Sequence, residues 1–503
     1  MRTATLSKSS FASGLQCHKR LWIEKKSPEL VPEPSASQQA VFDQGHEIGS
    51  WSQKLFPDGI LLSGELEFAS HLDASRQALA TCRPLFEPAF AIPGAYARAD
   101  ILKPVDSTKW DLLEVKSASN VWESGGEIKS VHLHDIAFQL YVYREAGVEV
   151  RKAYLVFLNR NYVRRGEIDP HQLFRFEDVT NQVEALLPSI PHQLDSLAQV
   201  LSGPSVPDVQ IGPQCNAPYE CRLKPHCWKH VPGDSVFTLT RAGAKAWTWW
   251  KSGIFRVADL PEGERYSANQ AIQITVERTG ETYFDESEVE RFLEGLRYPL
   301  HFLDFETVMP AVPLFDGCRP YAQVPFQFSL HVQQSPGGAL THTGFLADGT
   351  GDPRPGFLEA LQSCLGPSGS IVSYNSGFET ARLRDLIASF PSADWIDSIL
   401  PRFAEADLLK PFQKFALYHP SQHGSASIKA VLPAFTDLSY DDLTIQEGGT
   451  ASNQFLRLLK GQVPAQEISG LRDSLLRYCE RDTYAMVKLV EKLRFMVGER
   501  GPT

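Results

Sequence analysis

The sequence predicts a mixed α/β protein built from more than one domain, and two stretches carry that prediction. Residues 97–117 (ARADILKPVDSTKWDLLEVKS) read as two strands joined by a polar, proline-bearing turn, and an amphipathic helix follows at 132–146. Residues 298–307 (YPLHFLDFET) read as a buried strand, with further strands at 325–332 and 341–346 and a helix at 353–365. The 503-residue length suits about three domains at about 150 residues each. A hydrophobic content of 43% supplies large cores.

Composition narrows the function classes. A net charge of −11 gives no global basic footprint, so any nucleic acid must be bound in a local groove. There is no apolar run of about 18 residues and no apolar segment at the N-terminus, so neither a membrane span nor a signal peptide is expected. A cytoplasmic protein is the expectation. Eight cysteines in so long a chain do not make a secreted disulfide scaffold.

In chain order, residues 5–26 suggest a helix capped by Ser9 or Ser10 and carrying Phe11, Leu15, Cys17 and Leu21. Residues 37–56 read as a second helix with Gly45-His46, and 66–80 as a third. Strands from Pro84 lead into the hairpin, where Asp100 is expected near the end of the first strand. Lys103–Trp110 is the turn and Asp111–Lys116 the second strand. Residues two apart share a strand face, so Glu114 and Lys116 point one way while Leu113 and Val115 face the core. Pairing Asp100 with Glu114 beside Lys116 makes a magnesium or manganese site with a charge stabiliser, although the same pattern fits a solvated face. On the helix 132–146, Gln139 and Tyr143 are one turn apart. Residues 151–158 read as a core strand, and 160–165 (RNYVRR) add local positive charge.

Residues 213–228 (PQCNAPYECRLKPHCW) hold Cys215, Cys221 and Cys227 in an irregular loop, with neither helix nor strand period. With Cys17 they make four thiolates, which suit zinc or an iron–sulfur cluster. His226 and His230 are alternative ligands. Cys82, Cys318, Cys364 and Cys479 are dispersed and read as structural.

The first 230 residues or so resemble the RecB-like branch of the PD-(D/E)xK nucleases, with a restriction-endonuclease-like core. More narrowly, they resemble the iron–sulfur nucleases typified by AddB and the CRISPR-associated RecB-like exonucleases. The match runs in order through Cys17, Gly45-His46, Asp100, Glu114-Val115-Lys116, Gln139-x-x-x-Tyr143 and the cysteine cluster. Ala99 stands where the family name has proline, and the cluster reads C-x5-C-x5-C in place of C-x2-C-x5-C. The resemblance implies that Asp100 and Glu114 hold Mg2+ or Mn2+, completed by His46 and the Val115 carbonyl. Lys116 would activate water, and Gln139 and Tyr143 would position the DNA backbone. A 4Fe-4S cluster on Cys17, Cys215, Cys221 and Cys227 would clasp the N-terminal helix to the far end of the domain.

Residues 231–297 read as a helical segment with Trp247, Trp249 and Trp250, then Gly253-Ile254 and Asp259-Leu260-Pro261, and another helix at 286–296. This order weakly matches helix–hairpin–helix phosphate binders, and a plain helical linker with packed tryptophans fits it better. Beyond it, Asp304 and Glu306 share one strand face, a carboxylate pair suited to a divalent ion. A strand ending at Asn375 precedes a helix opened by Phe378-Glu379. The helix 475–490 sets Tyr478 and Asp482 one turn apart.

This half resembles the DnaQ-like DEDD exonucleases, which have a ribonuclease H-like mixed sheet. Asp304-Phe-Glu306 matches their first motif. Asn375-x-x-Phe378-Glu379 matches the second, with Glu for Asp, and Tyr478-x-x-x-Asp482 the third. The whole chain, including GSASIKAVLPAF at 424–435, looks like a bacterial family fusing two nuclease modules. In that scheme Asp304, Glu306 and Asp482 hold two metals, Glu379 supports the second, and Tyr478 orients the attacking water. The expected division is a RecB-like nuclease over 1–232, a helical linker over 233–297, and a DEDD 3′→5′ exonuclease over 298–503. The expected protein is a Mg2+- or Mn2+-dependent deoxyribonuclease acting on single-stranded ends, in DNA repair or defence against foreign DNA. RNA remains the rival substrate, and a nucleic-acid scaffold with one inactive module the rival class.

Overall fold

The computed structural model describes residues 5–62 and 67–498, and these fold as the mixed α/β protein expected. The chain divides into two compact units. Met1–His230 with Pro310–Tyr321 form the first, and Val231–Met309 with Ala322–Thr503 form the second. The sequence reading cut the chain into consecutive ranges, but the first unit also takes in 310–321, and 231–297 groups with the C-terminal half.

The first unit opens with α1 (Lys8–Gln16) and α2 (His18–Lys26). Ser7, not Ser9 or Ser10, caps α1 by accepting the Ser10 N–H. Cys17 is extended (φ −163°), so the expected single helix is broken in two at that cysteine. A capping box of Ser35 and Gln38 starts α3 (Ala36–Gln53). There follow β1 (Ile60–Leu61), α4 (Phe68–Leu79), β2 (Leu85–Phe86), β3 (Ala89–Ile92), β4 (Ala95–Arg98), β5 (Ile101–Pro104) and β6 (Lys109–Lys116). Residue 66, where the third helix was expected to begin, lies outside the described residues. Then come α5 (Ser130–Glu145), β7 (Glu149–Leu158), α6 (Pro170–Leu173), β8 (Phe174–Asp178), α7 (Thr180–Leu186), α8 (Ile190–Ser202) and α9 (Lys224–Cys227).

Six strands make one mixed sheet in the order β1-β2-β5-β6-β7-β8. The β5/β6 and β7/β8 pairs are antiparallel, and β6/β7 is parallel. Alternation along β6 builds two cores. Leu112 joins Leu102, Leu155 and Phe138 on the face covered by α5, while Leu113 joins Ile101, Val156 and Ile48 on the other. The second core is completed by Ala311 and Val312. Arg164 ties that segment down by donating to the carbonyls of Pro313 (3.1 Å) and Leu314 (2.5 Å), and Tyr321 donates to the Ser117 carbonyl (2.9 Å).

The second unit starts with α10 (Ala244–Lys251) and α11 (Ala268–Thr279). Trp249 is buried here, and Trp247 and Trp250 pack on Phe237, so these tryptophans are packing residues. Next come β9 (Tyr283–Phe284), α12 (Glu286–Glu294), β10 (Leu300–Val308), β11 (Val324–Gln333), β12 (Leu340–Leu346), α13 (Arg354–Cys364), β13 (Ile371–Val372), α14 (Ser376–Ser389), α15 (Ile396–Ile399), α16 (Leu409–Gln413), β14 (Leu417–Tyr418), α17 (Ile428–Phe435), α18 (Gly448–Leu459) and α19 (Ala465–Met496). The main sheet runs β12-β11-β10-β13, antiparallel except for β10/β13, and a parallel bridge from Ser373 to Asp407 continues it. Leu303, Phe305, Phe328 and Leu330 pack on α13 and α14 on one face. The opposite face, with Asp304, Glu306 and Gln327, meets α19, and Gln327 donates to the Leu475 carbonyl (2.8 Å). Gly369 (φ +85°) sits in the bend before β13 where no side chain fits, because a Cβ there would lie 2.0 Å from the Pro299 carbonyl.

Candidate functional site

In the first unit, parallel pairing of β6 with β7 sets Glu114 in the sheet interior on the α5 side. It is only 1% exposed, not on a solvated face. One oxygen of Glu114 accepts from Lys8 Nζ (2.7 Å) and Lys116 Nζ (2.9 Å), and the other accepts from Gln139 Nε2 (2.7 Å). Burial works against ionisation of Glu114, but the two ammonium groups outweigh it and hold the carboxyl below its usual range. Lys116 also donates to Asp135 Oδ2 (2.6 Å). Burial alone would lower the Lys116 pKa, and the Glu114 and Asp135 charges more than offset it.

Asp100 lies, as expected, near a strand end, in the two-residue break between β4 and β5. The break turns its carboxylate toward β6, where Oδ2 accepts the Val115 N–H (2.6 Å). Burial first, and then the Glu114 charge, push Asp100 up to about 7. Asp100 opens on a cavity of about 800 Å³ lined also by Ser7, Lys8, His46, Ser50 and Arg98. His46 is therefore in the same cleft. Among the described residues, however, His46, Asp100 and Glu114 do not bring three ligand atoms within 4.8 Å of one another.

Gln139 and Tyr143 do share a face of α5 as expected, but both are fully buried and out of reach of a nucleic-acid backbone. Gln139 orients Glu114. The Tyr143 hydroxyl donates to the Pro88 carbonyl (2.5 Å) and accepts the Ala99 N–H (3.0 Å), pinning the chain on both sides of the β3/β4 hairpin just before Asp100. Both are positioning residues.

Cys17, Cys215, Cys221 and Cys227 line one small cavity, brought together from the α1/α2 break and the 213–228 loop. His226 and His230 are not among its lining residues. Burial raises the Cys221 and Cys227 thiols. Gln16, at the end of α1, donates to the carbonyls of Gln214 (2.7 Å), Ala217 (3.2 Å) and Tyr219 (2.8 Å), so the helix end and the loop are tied independently of any ligand. Tetrahedral zinc at a Zn–S distance of about 2.3 Å wants sulfurs about 3.8 Å apart. No three cysteine sulfurs among the described residues come within 4.8 Å of one another.

In the second unit, β10 and α19 bring Asp304, Glu306 and Asp482 together, with ligand oxygens all within 4.8 Å. Glu379, near the start of α14, lines the same cavity of about 420 Å³, as do Asn375, Phe378 and Tyr478. Glu379 is 2% exposed, and its Oε2 has no hydrogen-bond partner among the described residues. Burial and then mutual repulsion push Asp304 and Glu306 well above the carboxylate range. Burial, with the Asp407 charge adding to it, takes Glu379 to about 8. Asp482 rises to about 6 through burial, opposed by Tyr440, whose hydroxyl donates to Oδ1 (2.5 Å), and by Lys429. An orphaned buried oxygen among carboxylates that hold one another's protons is a donor set suited to hard divalent cations.

Lys8, Asp135, Lys429 and Tyr440 were not singled out from the sequence. Lys429 lies within the GSASIKAVLPAF segment, and Asp135 sits one turn before Gln139 on the α5 stripe, so both had a signal. Lys8 reaches Glu114 across 106 positions and had none. His331, His342 and Glu480 also bring ligand atoms within 4.8 Å of one another, but His331 Nδ1 already pairs with the Thr483 hydroxyl (2.8 Å) and His342 Nε2 with the Ser329 hydroxyl (3.0 Å).

Fold and sites thus define an α/β protein with two separate buried carboxylate centres. A family model described as "Domain of unknown function (DUF2779)" matches residues 301–427, which include Asp304, Glu306 and Glu379 and end before Lys429, Tyr478 and Asp482. The chain is 27% identical over 206 residues to "Uncharacterized protein MG366 homolog" of Mycoplasma pneumoniae. The match covers 37% of this chain and 31% of that protein's length. Among solved structures, an alkaline exonuclease (LHK-Exo) from Laribacter hongkongensis aligns with 40% of this chain and 93% of its own at 13% identity. Its TM-score is 0.17, too low to assign a fold. No helix among the described residues is long and apolar enough to cross a membrane.

Proposed function

We propose that the protein is a metal-dependent nuclease with two active modules, acting on single-stranded DNA ends. The observation that carries this reading is the second unit's carboxylate group, with the unpaired Glu379 oxygen in the same cavity. The strand order β12-β11-β10-β13, extended by the Ser373–Asp407 bridge, supports a ribonuclease H-like reading of that unit. The buried Asp100–Glu114–Lys116 set on a mixed sheet supports a PD-(D/E)xK reading of the first.

Asp304, Glu306 and Asp482, with Glu379, would hold Mg2+ or Mn2+ in one unit, and Asp100 and Glu114 with His46 in the other. The ions would supply charge against the phosphodiester and lower the pKa of a bound water. The remaining steps belong to the side chains. Tyr478, raised far above its usual range by burial and then by the surrounding carboxylates, keeps its proton and can orient a water by hydrogen bonding. Lys429, 5.8 Å from the Tyr478 ring centroid, sets positive charge beside the developing phosphorane. Lys116, fixed between Glu114 and Asp135, does the same in the first unit. The four cysteines would carry a 4Fe-4S cluster with a structural role: closing a loop of about 200 residues restricts the unfolded chain as a disulfide does. DNA repair or defence against foreign DNA is the biological setting this reading favours.

The test is Mn2+-dependent digestion of single-stranded DNA labelled separately at each end, with matched RNA alongside, comparing wild type, Lys116→Ala and Asp304→Ala. Two distinct cleavage patterns, each removed by one substitution, are expected. Loss of all cutting with Lys116→Ala alone would refute the second module as a deoxyribonuclease. Cutting confined to RNA would reassign the substrate.

A further inference from the structure

The first unit carries one lysine more than its chemistry requires. Lys116 has two partners, Glu114 and Asp135, and stays anchored to Asp135 when Glu114 is otherwise engaged. Lys8 comes from a different element, the first turn of α1, and forms an ion pair with Glu114 at 2.7 Å. Lys8 and Lys116 both donate to one oxygen of Glu114 and Gln139 donates to the other, so a cation approaching the doubly occupied oxygen must displace an ammonium. The Lys8 side chain is about one-quarter exposed and lines the 800 Å³ cleft with Ser7, His46, Arg98 and Asp100, so its ammonium has somewhere to go. The helix that carries it has no such freedom. Phe11 stacks on Phe138 at 4.7 Å, and Gln16 is bonded to three carbonyls of the cysteine loop.

We infer that Lys8 is a resident counter-ion that competes with the divalent cation for Glu114. Resting on the metal-site reading above, this adds a gate to it. The cation binds as the Lys8–Glu114 hydrogen bond breaks, and the released ammonium turns into the cleft where the substrate phosphates lie. α1, held at its far end by the cysteine loop, sets the distance from which Lys8 reaches. A competing ligand weakens the apparent affinity of the site it occupies, so removing it must strengthen binding of the ion. A merely structural ion pair predicts the opposite sign, because its loss would loosen the site.

The experiment titrates Mn2+ alone into the full-length protein by calorimetry, comparing wild type, Lys8→Met, Lys8→Arg and Glu114→Gln. The site lost in Glu114→Gln identifies the first unit. Lys8→Met is expected to bind Mn2+ there roughly tenfold more tightly, the effect of freeing one charge-assisted hydrogen bond. Lys8→Arg is expected to restore the wild-type affinity. Should Lys8→Met fail to fold by circular dichroism, Lys8→Gln replaces it, with the same expected sign. Unchanged or weaker binding in the variant overturns the inference while leaving the metal site standing. If Glu114→Gln removes no Mn2+ site, the metal-site reading itself fails, and this inference with it.

Discussion

Replacing Asp482 by Asn should stabilise the metal-free protein. Asp482 is 7% exposed, and its pKa stands at about 6 against a reference of 3.8. A carboxyl whose folded pKa is raised carries a penalty that is absent below the unfolded value and complete above the folded one. At about 1.36 kcal/mol per unit, the penalty at pH 7.5 is about 3 kcal/mol, and at pH 5 about half that. The amide removes the charge yet keeps an oxygen to accept the Tyr440 hydroxyl. For a unit of this size, about 3 kcal/mol corresponds to a rise in Tm of roughly 6–12 °C. The assay is thermal unfolding followed by tryptophan fluorescence, in chelator, at pH 7.5 and pH 5, and again with Mn2+. Asp482→Asn should raise Tm at pH 7.5, raise it less at pH 5, and abolish the further rise that Mn2+ gives the wild type. A lower Tm at pH 7.5 in chelator, or an equal gain at both pH values, would refute the argument that burial of this carboxyl costs stability.

The other predictions concern the first unit and one backbone position. With Asp100 at about 7, cation binding must expel a proton below that pH, so Mn2+ affinity in the first unit should rise about fivefold from pH 6 to pH 7 and about twofold more above it; calorimetry in two buffers of different ionisation enthalpy reads the proton directly. Tyr143→Phe loses the hydroxyl that joins Pro88 to Ala99, and should cost about 1–3 kcal/mol in urea unfolding. Cys221→Ser should bleach a broad absorption near about 400 nm in anaerobically purified protein, and colourless wild-type protein would rule out the iron–sulfur cluster. Gly369→Ala should destabilise the second unit by well over 1 kcal/mol, because both the positive φ and the Pro299 carbonyl oppose a Cβ.

Much of this architecture is legible in short periods. Alternation along 111–116 announces β6, and Asp304 and Glu306 announce the acidic face of β10, because side-chain direction in a strand is fixed by parity alone. The Gln139–Tyr143 turn is equally plain, but its role is not. Parity says that the two side chains point the same way, while burial, a tertiary property, decides whether they meet solvent or a backbone carbonyl. Both faces of the first sheet are covered, so a pattern that reads as half-exposed ends as a buried ion cluster. Lys8 lies beyond any local period, since its partner is set by how α1 docks on α5. The break at Cys17 was likewise hidden: residues 5–26 carry continuous helical apolar spacing, and only the tertiary position of the cysteine pulls the backbone out of the helix.

The inclusion of Ala311 and Val312 in the first unit's core has a consequence for biosynthesis. As the chain leaves the ribosome, residues 1–230 emerge with a gap in one core, and the piece that fills it arrives only after about 80 further residues. At about 5–20 residues per second the delay is roughly 4–16 s, during which Ile48, Leu55 and Ile101 lack their last neighbours. The first unit cannot mature until β10 of the second has been made. A truncation after His230 would therefore trap the nascent state, with an apolar slot that a chaperone, or another copy of the chain, would be free to occupy.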